Sequence, residues 1–208
     1  INICNTLIDR VESGVYTGSQ KSTVLGTAHF VRGFHYYNLM TQYGGVPLKL
    51  TPSTTVEFEF ERNTVAEVFT QVEKDLLAAY DELPETASKT GEITKSAAAH
   101  FLAKAYLWRA SELNSSWNSS TKTADLDNVI KYAEYVIARH PLASNFKDLW
   151  DYQKPDGANE KLSEVVLAAQ FTSDNSTWNV GGCMYFYTTS NYRDLTGMFR
   201  DVPGVREY

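Results

Sequence analysis

Apolar residues recur at every third or fourth position from residue 65 to residue 83, which is the period of one face of an α-helix. Thr64 and Glu67 have the spacing of a capping box, in which each side chain satisfies a backbone amide of the other. Pro84 follows, and proline cannot continue a helix. The segment therefore predicts an amphipathic helix that must bury one face. That face comprises Val65, Val68, Phe69, Val72, Leu76, Ala79 and Leu83.

Four further helices are predicted from similar patterns. The first covers about residues 1–14, and the second runs from about Thr23 to Tyr43 and ends before two glycines that allow a left-handed cap. The fourth is expected to begin after Thr94 as N-cap and the fifth after Asp125 as N-cap. The fifth helix is expected to bury Leu126, Val129, Ile130, Ala133, Val136 and Ile137.

A weak internal repeat relates the third helix to the fifth. Its two copies are Val72-x3-Leu76-x2-Ala79-x4-Pro84 and Val129-x3-Ala133-x2-Val136-x4-Pro141. This spacing is typical of the second helix of a tetratricopeptide unit, in which small or apolar residues lie where helices touch. The pattern predicts a mainly α fold of tetratricopeptide-like helical hairpins that form an α–α superhelix.

After Pro141 the pattern becomes less regular. We expect a helical region over residues 1–145 and an appendage of loops and short strands over residues 146–208 that packs on it. Two apolar runs, 164–171 and 183–187, are interpreted as strands, the first of them buried.

Composition excludes several classes of protein. With 43% hydrophobic and 21% charged residues the chain is globular, and its net charge of −6, without a basic stripe, argues against a nucleic-acid partner. No stretch approaches 18 apolar residues, so no transmembrane helix is predicted. Because Ile1 already lies within a helical pattern, the chain is interpreted as a fragment of a longer protein.

No enzyme signature is present in the sequence. The chain lacks the common nucleophile, phosphate-binding, dinucleotide-binding and zinc-protease motifs, and no cofactor or metal site is predicted. His29 and His35 are six residues apart, which places them on opposite sides of a helix. The acidic pairs 73/75 and 81/82 are interpreted as a solvated helix face, although two distant carboxylates of a glycan-processing enzyme remain an alternative.

Aromatic residues are the remaining candidates for function. Trp and Tyr rings can stack on the apolar faces of sugars while polar neighbours bond the hydroxyl groups. Trp117 and Trp178 are flanked by Asn and Ser and are the predicted ligand-binding residues. Trp108 and Trp150 are interleaved with Leu and are expected in the core. Arg32, among aromatic residues, is expected to have a structural role.

The order of the motifs resembles the SusD/RagB family of outer-membrane nutrient-binding lipoproteins, from about residue 1 to residue 171. The motifs are Cys4 to Ile8, Phe30-Val31-Arg32-Gly33-Phe34-x-Tyr36-Tyr37-x-Leu39, Tyr43-Gly44-Gly45-Val46-Pro47-Leu48, Glu73-x-Asp75-Leu76-x-x-Ala79, Leu83-Pro84, Thr94-Lys95-x-Ala97-Ala98 and Ala105-Tyr106-Leu107. The resemblance implies an N-terminal helical portion of a longer, surface-exposed protein.

The resemblance also implies a function. Such a protein binds oligo- or polysaccharides, is attached to the outer membrane by an N-terminal lipid absent from this chain, and delivers its ligand to a SusC-like TonB-dependent transporter. Cys4 lacks the surrounding residues of a lipidation site. Two further interpretations remain open: a tetratricopeptide-type scaffold that binds other proteins, and a family member that captures peptides without binding glycans.

Overall fold

The computed structural model describes residues 1–56, 58–150, 159 and 161–168, and these belong to one compact unit, Ile1–Ala168. Five α-helices and no strand occur among the described residues, which confirms the mainly α fold. The helices are α1 (Asn2–Glu12), α2 (Lys21–Tyr43), α3 (Val65–Glu82), α4 (Lys95–Ala110) and α5 (Lys122–Ile137), with short 3₁₀ helices at Glu112–Asn114 and Phe146–Trp150. The tetratricopeptide character, the superhelix and the division at residue 145 stay predictions.

Each helix packs mainly against its neighbours in sequence, so the chain builds an array of paired helices. The core lies between α2, α3, α4 and α5, and Tyr36, Phe69, Leu76 and Leu102 are among its largest fully buried side chains. A run of alanines in α4, residues 97 to 99, is buried, so this helix can approach its neighbours closely. The α1 helix packs on α2 through a smaller apolar cluster.

The capping box predicted at the start of α3 is present. The Glu67 amide donates to the Thr64 hydroxyl, and the Thr64 amide donates to the Glu67 carboxylate. The prediction for α5 was wrong, because this helix begins at Lys122 with Thr121 as its N-cap. Asp125 lies within the first turn, where its carboxylate accepts two hydrogen bonds from the Arg109 guanidinium and is not available as a cap.

The buried side of α5 also differs from the prediction. Val136 is buried and Val129 is half-buried as expected, but Leu126, Ile130 and Ile137 are exposed. The helix instead turns Asp125 and Tyr132 inward, and the Tyr132 ring stacks on the Tyr106 ring of α4 with their centroids 6.0 Å apart. The three exposed apolar residues form a stripe along α5, called here the α5 stripe.

A buried ion pair joins α2 to α3. Arg32 donates from Nε to Asp75 Oδ2 over 2.8 Å and from Nη2 to Asp75 Oδ1 over 2.7 Å. Arg32 Nη1 also donates to Asn5 of α1, and Gln71 donates to Asp75, so every side chain of this cluster is paired. The expectation of a solvated 73/75 pair was therefore wrong for Asp75, which is 1% exposed, whereas the structural role of Arg32 is confirmed.

Glycine allows α2 and α3 to approach each other at this ion pair. A Cβ atom added at Gly33 would lie 3.1 Å from Asp75 Cβ and 3.2 Å from Leu76 Cγ. Tyr36, one turn further on, is buried in the core, and its hydroxyl exchanges hydrogen bonds with the backbone of Lys49. Gly33 and Tyr36 therefore both serve the packing of α2.

The first half of the loop between α2 and α3 is held against α1 by hydrogen bonds. Asn5 donates to the carbonyls of Lys49 and Thr51, and the Ser53 amide donates to Asn2 on the first turn of α1. At the far end, Asn63 accepts from the Leu48 amide and so closes the loop. Between these attachments Val56, Phe58 and Phe60 are exposed. We refer to residues 54–61 as the loop tip.

The first predicted strand is not formed in its described part. Residues 164–168 have an irregular backbone and are half-buried or exposed. A side-chain contact explains this course, because Glu164 accepts a hydrogen bond from the Ala143 amide and holds the segment against the chain that follows α5. The remainder of this run and the second predicted strand, 183–187, lie outside the described residues.

Candidate functional site

Trp117 lies in the loop between α4 and α5, and its ring is half-buried. The ring contacts Phe69 of α3 edge-on, with centroids 6.0 Å apart, and Trp108 of α4 at 6.2 Å. Its asparagine neighbours hold the loop. Asn114 donates to the Trp108 carbonyl, and Asn118 donates to two backbone carbonyls of the same turn. Trp117 is thus anchored on the core and keeps an exposed part.

A cluster of charged and aromatic residues lies beneath this loop. The Arg109 guanidinium contacts the Phe69 ring face at 4.0 Å and forms its closest ion pair with Asp125. Burial opposes the charge of Arg109, but the hydrogen bond from its guanidinium to Asp125 and the nearby carboxylate of Glu73 raise its pKa overall. Burial also raises the pKa of Tyr106 in the same cluster. These groups fix the α4–α5 pair as a rigid base for the loop.

Of the remaining predicted tryptophans, Trp108 packs against the core as expected. Trp178, the second predicted ligand residue, lies outside the described residues. The expectation for Trp150 was wrong, because 69% of this residue is exposed. It lies on the 3₁₀ helix Phe146–Trp150, and its ring centroid is 6.1 Å from that of Phe146, which is 71% exposed. We call these two rings the exposed aromatic pair.

A cleft of about 610 Å³ lies between the α3–α4 loop, the end of α5 and residues 161–168. Its volume is in the range of small-molecule sites. Hydroxyl groups line one side, and apolar side chains line the other. The hydroxyl residues are Thr86, Ser88, Thr90, Thr94 and Ser96, and the apolar ones include Val165 and Val166.

The two acidic residues of this cleft, Glu85 and Glu92, have partners within the protein. Glu85 accepts a hydrogen bond from the Tyr135 hydroxyl and lies 3.4 Å from Arg139 Nε. The Tyr135 hydrogen bond is the main reason that the pKa of Glu85 is lowered, with Lys95 and Arg139 adding to it. Glu92 accepts hydrogen bonds from Ser88 on the opposite side of the loop. The cleft is therefore polar without a strong excess of one charge.

Within the described ranges no group of three or more His, Cys, Asp or Glu side chains could hold a metal ion. His29 lies 2.7 Å from Glu82 of α3 and forms a helix-to-helix contact. Among the same residues, no helix has both the length and the apolar character needed to cross a bilayer.

The described residues thus form a scaffold of paired helices with a half-buried tryptophan in a loop, an exposed aromatic pair and a polar cleft. The chain belongs to the SusD-like family, because a family model described as starch-binding and associating with the outer membrane matches residues 1–107. This description is that of a binding protein, which agrees with the prediction of a protein that is not an enzyme.

Individual relatives agree with the family match. SusD-like protein P2 of Formosa agariphila is 26% identical over 159 residues, which are 73% of this chain and 29% of that protein. A crystal structure with xylogluco-oligosaccharide is 27% identical, with a TM-score of 0.68 over 82% of this chain and 33% of that one. A SusD superfamily protein from Bacteroides fragilis is 25% identical, with a TM-score of 0.69 over 86% and 38%. The chain thus spans about a third of the length of these relatives.

Proposed function

We propose that this chain is the helical portion of a cell-surface glycan-binding protein that captures oligo- or polysaccharides. The family match over residues 1–107 carries the proposal, because that family is described by starch binding and by association with the outer membrane. The similarity to a structure solved with xylogluco-oligosaccharide supports a glycan as the ligand. The protein would be attached to the outer membrane by an N-terminal lipid on a cysteine other than Cys4, whose thiol is buried in α1.

We propose Trp117 and Trp178 as ligand contacts. The anchoring of Trp117 on Phe69 and Trp108 supports this role, since a ring already held in place loses little conformational freedom when a sugar binds. The experiment is isothermal calorimetry of the full-length protein with a panel of plant and host polysaccharides, starch and xyloglucan among them. Trp117→Ala and Trp178→Ala are measured beside the parent protein, and the glycans are analysed for cleavage.

The outcomes of this experiment separate the functions under consideration. Binding without cleavage, weakened by either substitution, is the expected result. Cleavage of the glycan would identify an enzyme and refute the proposal. If no glycan binds and extracellular peptides do, the protein is a peptide-capturing member of the family.

The second part of the proposal is delivery to a SusC-like TonB-dependent transporter. The α5 stripe supports a protein partner, because exposed apolar residues in a row along one helix are typical of protein interfaces. Affinity purification of the full-length protein from detergent-solubilised outer membranes tests this, with the amount of co-eluting transporter as the readout. An Ile130→Asp variant should lose the transporter and retain glycan binding, and a control Lys131→Asp variant on the neighbouring exposed face should retain both. Equal transporter recovery from both variants would rule out the stripe as the contact.

That protein surface also supports the competing interpretation, a scaffold that binds proteins alone. A scaffold would bind its partner whether or not glycan is present, and calorimetry would detect no saccharide ligand.

A further inference from the structure

Packing among the described residues does not explain the exposed aromatic pair. Phe146 and Trp150 belong to neither of the two apolar clusters that form the core, and about 70% of each residue is exposed. Exposing two large aromatic side chains leaves apolar surface in water, which is unfavourable. The two rings contact each other with their centroids 6.1 Å apart, and each residue still keeps most of its surface exposed.

The rings have a geometry that suits a flat apolar ligand. Their planes are inclined by 57°, so the pair forms a shallow open angle rather than a closed stack. The two rings lie close together on the 3₁₀ turn, because their centroids are only 6.1 Å apart. A pyranose ring has apolar C–H faces of about the size of an aromatic ring, and such a face fits against either plane.

The turn that carries the pair is held at both ends. Asn145 accepts from the Lys147 amide through its side chain, at 3.1 Å, and from the Asp148 amide through its carbonyl, at 3.0 Å. Asn159 donates to the Leu149 carbonyl at 3.3 Å. The rings are therefore presented on a fixed turn, and less conformational entropy is lost when a ligand binds.

The surroundings of the pair favour a sugar over a buried protein contact. Lys147 is exposed and Asp148 is half-buried on the same turn, so a closed protein interface would remove water from two charged groups. A glycan leaves such groups partly hydrated and offers hydroxyls to Lys147, whereas Asp148 already has an interaction within the protein. Because the two charges are opposite, the turn has no net charge that would favour a charged ligand.

The cleft described above is built from the same stretches of chain. Residues 139 and 140 precede the turn and line the cleft, and Lys161 and Val165 line it on the side of Asn159. The Ala143 amide bonds to Glu164 at 2.8 Å and joins these two stretches between the turn and the cleft. An aromatic platform and a hydroxyl-lined cleft on one hydrogen-bonded unit are the two parts of a saccharide site.

We propose that Phe146 and Trp150 form a stacking platform for the sugar rings of a neutral glycan. This inference rests on the proposed glycan-binding function and locates a contact within it that is separate from Trp117. Truncation of either ring should weaken glycan binding, because aromatic anchors contribute most to binding energy where they are rigidly held. A tyrosine at position 150 should retain most of the affinity, since it also presents a flat ring.

The test uses the full-length protein with xyloglucan oligosaccharides and malto-oligosaccharides as probes, measured by calorimetry. Trp150→Ala and Phe146→Ala are each expected to raise Kd about tenfold or more. Trp150→Tyr is expected to stay within about threefold of the parent protein. Phe58→Ala, which removes an exposed ring on the loop tip, is the matched control and should leave Kd unchanged. Thermal melts of all variants accompany the titrations.

Each outcome separates this inference from the proposed function. If the parent protein binds a probe and both alanine variants bind it equally well, the platform is refuted and the glycan-binding function stands. A fall of more than about 5 °C in Tm for both alanine variants would show that the pair packs against other parts of the protein, which also refutes the platform. If the parent protein binds neither these probes nor any polysaccharide of the wider panel, the proposed function fails and the platform fails with it.

Discussion

The Arg32–Asp75 pair allows a sharp test of what holds α1, α2 and α3 together. Asp75→Asn keeps the shape of the side chain and removes its charge, so the guanidinium of Arg32 stays buried without a counter-ion. Arg32 is only 6% exposed and cannot turn to water. Removing one partner of a buried ion pair costs about 3–5 kcal/mol. For a chain of about this length, this corresponds to a fall in Tm of roughly 6–20 °C.

The assay is urea and thermal unfolding of the 208-residue chain, followed by circular dichroism at 222 nm. The double variant Arg32→Met with Asp75→Leu is expected to lose much less than the sum of its two single variants, because an apolar pair removes both desolvated charges together. Glu112→Gln is the matched control. It breaks the exposed ion pair of Glu112 with Lys122 and should leave Tm unchanged.

Two results would refute this reasoning. A loss below about 1 kcal/mol for Asp75→Asn would mean that the pair contributes no more than an exposed one. Strict additivity in the double variant would mean that Arg32 and Asp75 stabilise the fold independently.

Three smaller perturbations address other features. Gly33→Ala brings a methyl group to 3.2 Å from Leu76 Cγ and should cost about 1–3 kcal/mol in urea unfolding; an unchanged midpoint would contradict the close approach. Thr64→Ala removes the cap of α3 and should cost about 1 kcal/mol, with Thr64→Ser as the control that keeps it. Tyr135→Phe should raise the pKa of Glu85, measured by NMR titration. Because that pKa is lowered in the folded state, Glu85 contributes stability above its unfolded pKa that is lost as pH falls through the folded pKa, and the variant should lose less on acidification.

The helices were predictable because their signals are local and repeated. The α3 helix has a capping box, an apolar face and a proline stop, and each of these agrees with the others. The contacts between α2 and α3 were harder to predict from the sequence. Asp75 looks like one member of a solvated acidic pair, because its partner Arg32 is 43 residues away in sequence. A helical wheel centred on Leu76 would have shown Asp75 beside the buried face.

The errors at α5 and at Trp150 have related causes. A carboxylate near the start of a helix can cap that helix or accept hydrogen bonds from another one. Asp125 does the latter, because the fold places Arg109 of α4 next to it. Rotation of α5 toward Tyr132 then exposes the apolar stripe. For Trp150, a five-residue helical turn is too short for periodicity to define an inner face, so leucine neighbours carried no information about burial. The loop position of Trp117 could be predicted from loop length and composition, whereas its contact with a ligand stays a prediction.

The attachments of the α2–α3 loop have an evolutionary consequence. Hydrogen bonds to α1 and α2 hold the loop as far as Ser53, and the side chain of Asn63 holds its far end against Leu48. The positions of α2 and α3 therefore do not depend on residues 54–61. Doubling the length of a free segment costs only about 0.6 kcal/mol of loop-closure entropy. Insertions and deletions in the loop tip should therefore change the free energy of unfolding very little. The length and sequence of this segment can vary during evolution without loss of the fold. The same tolerance makes the loop tip a suitable place to insert an epitope tag.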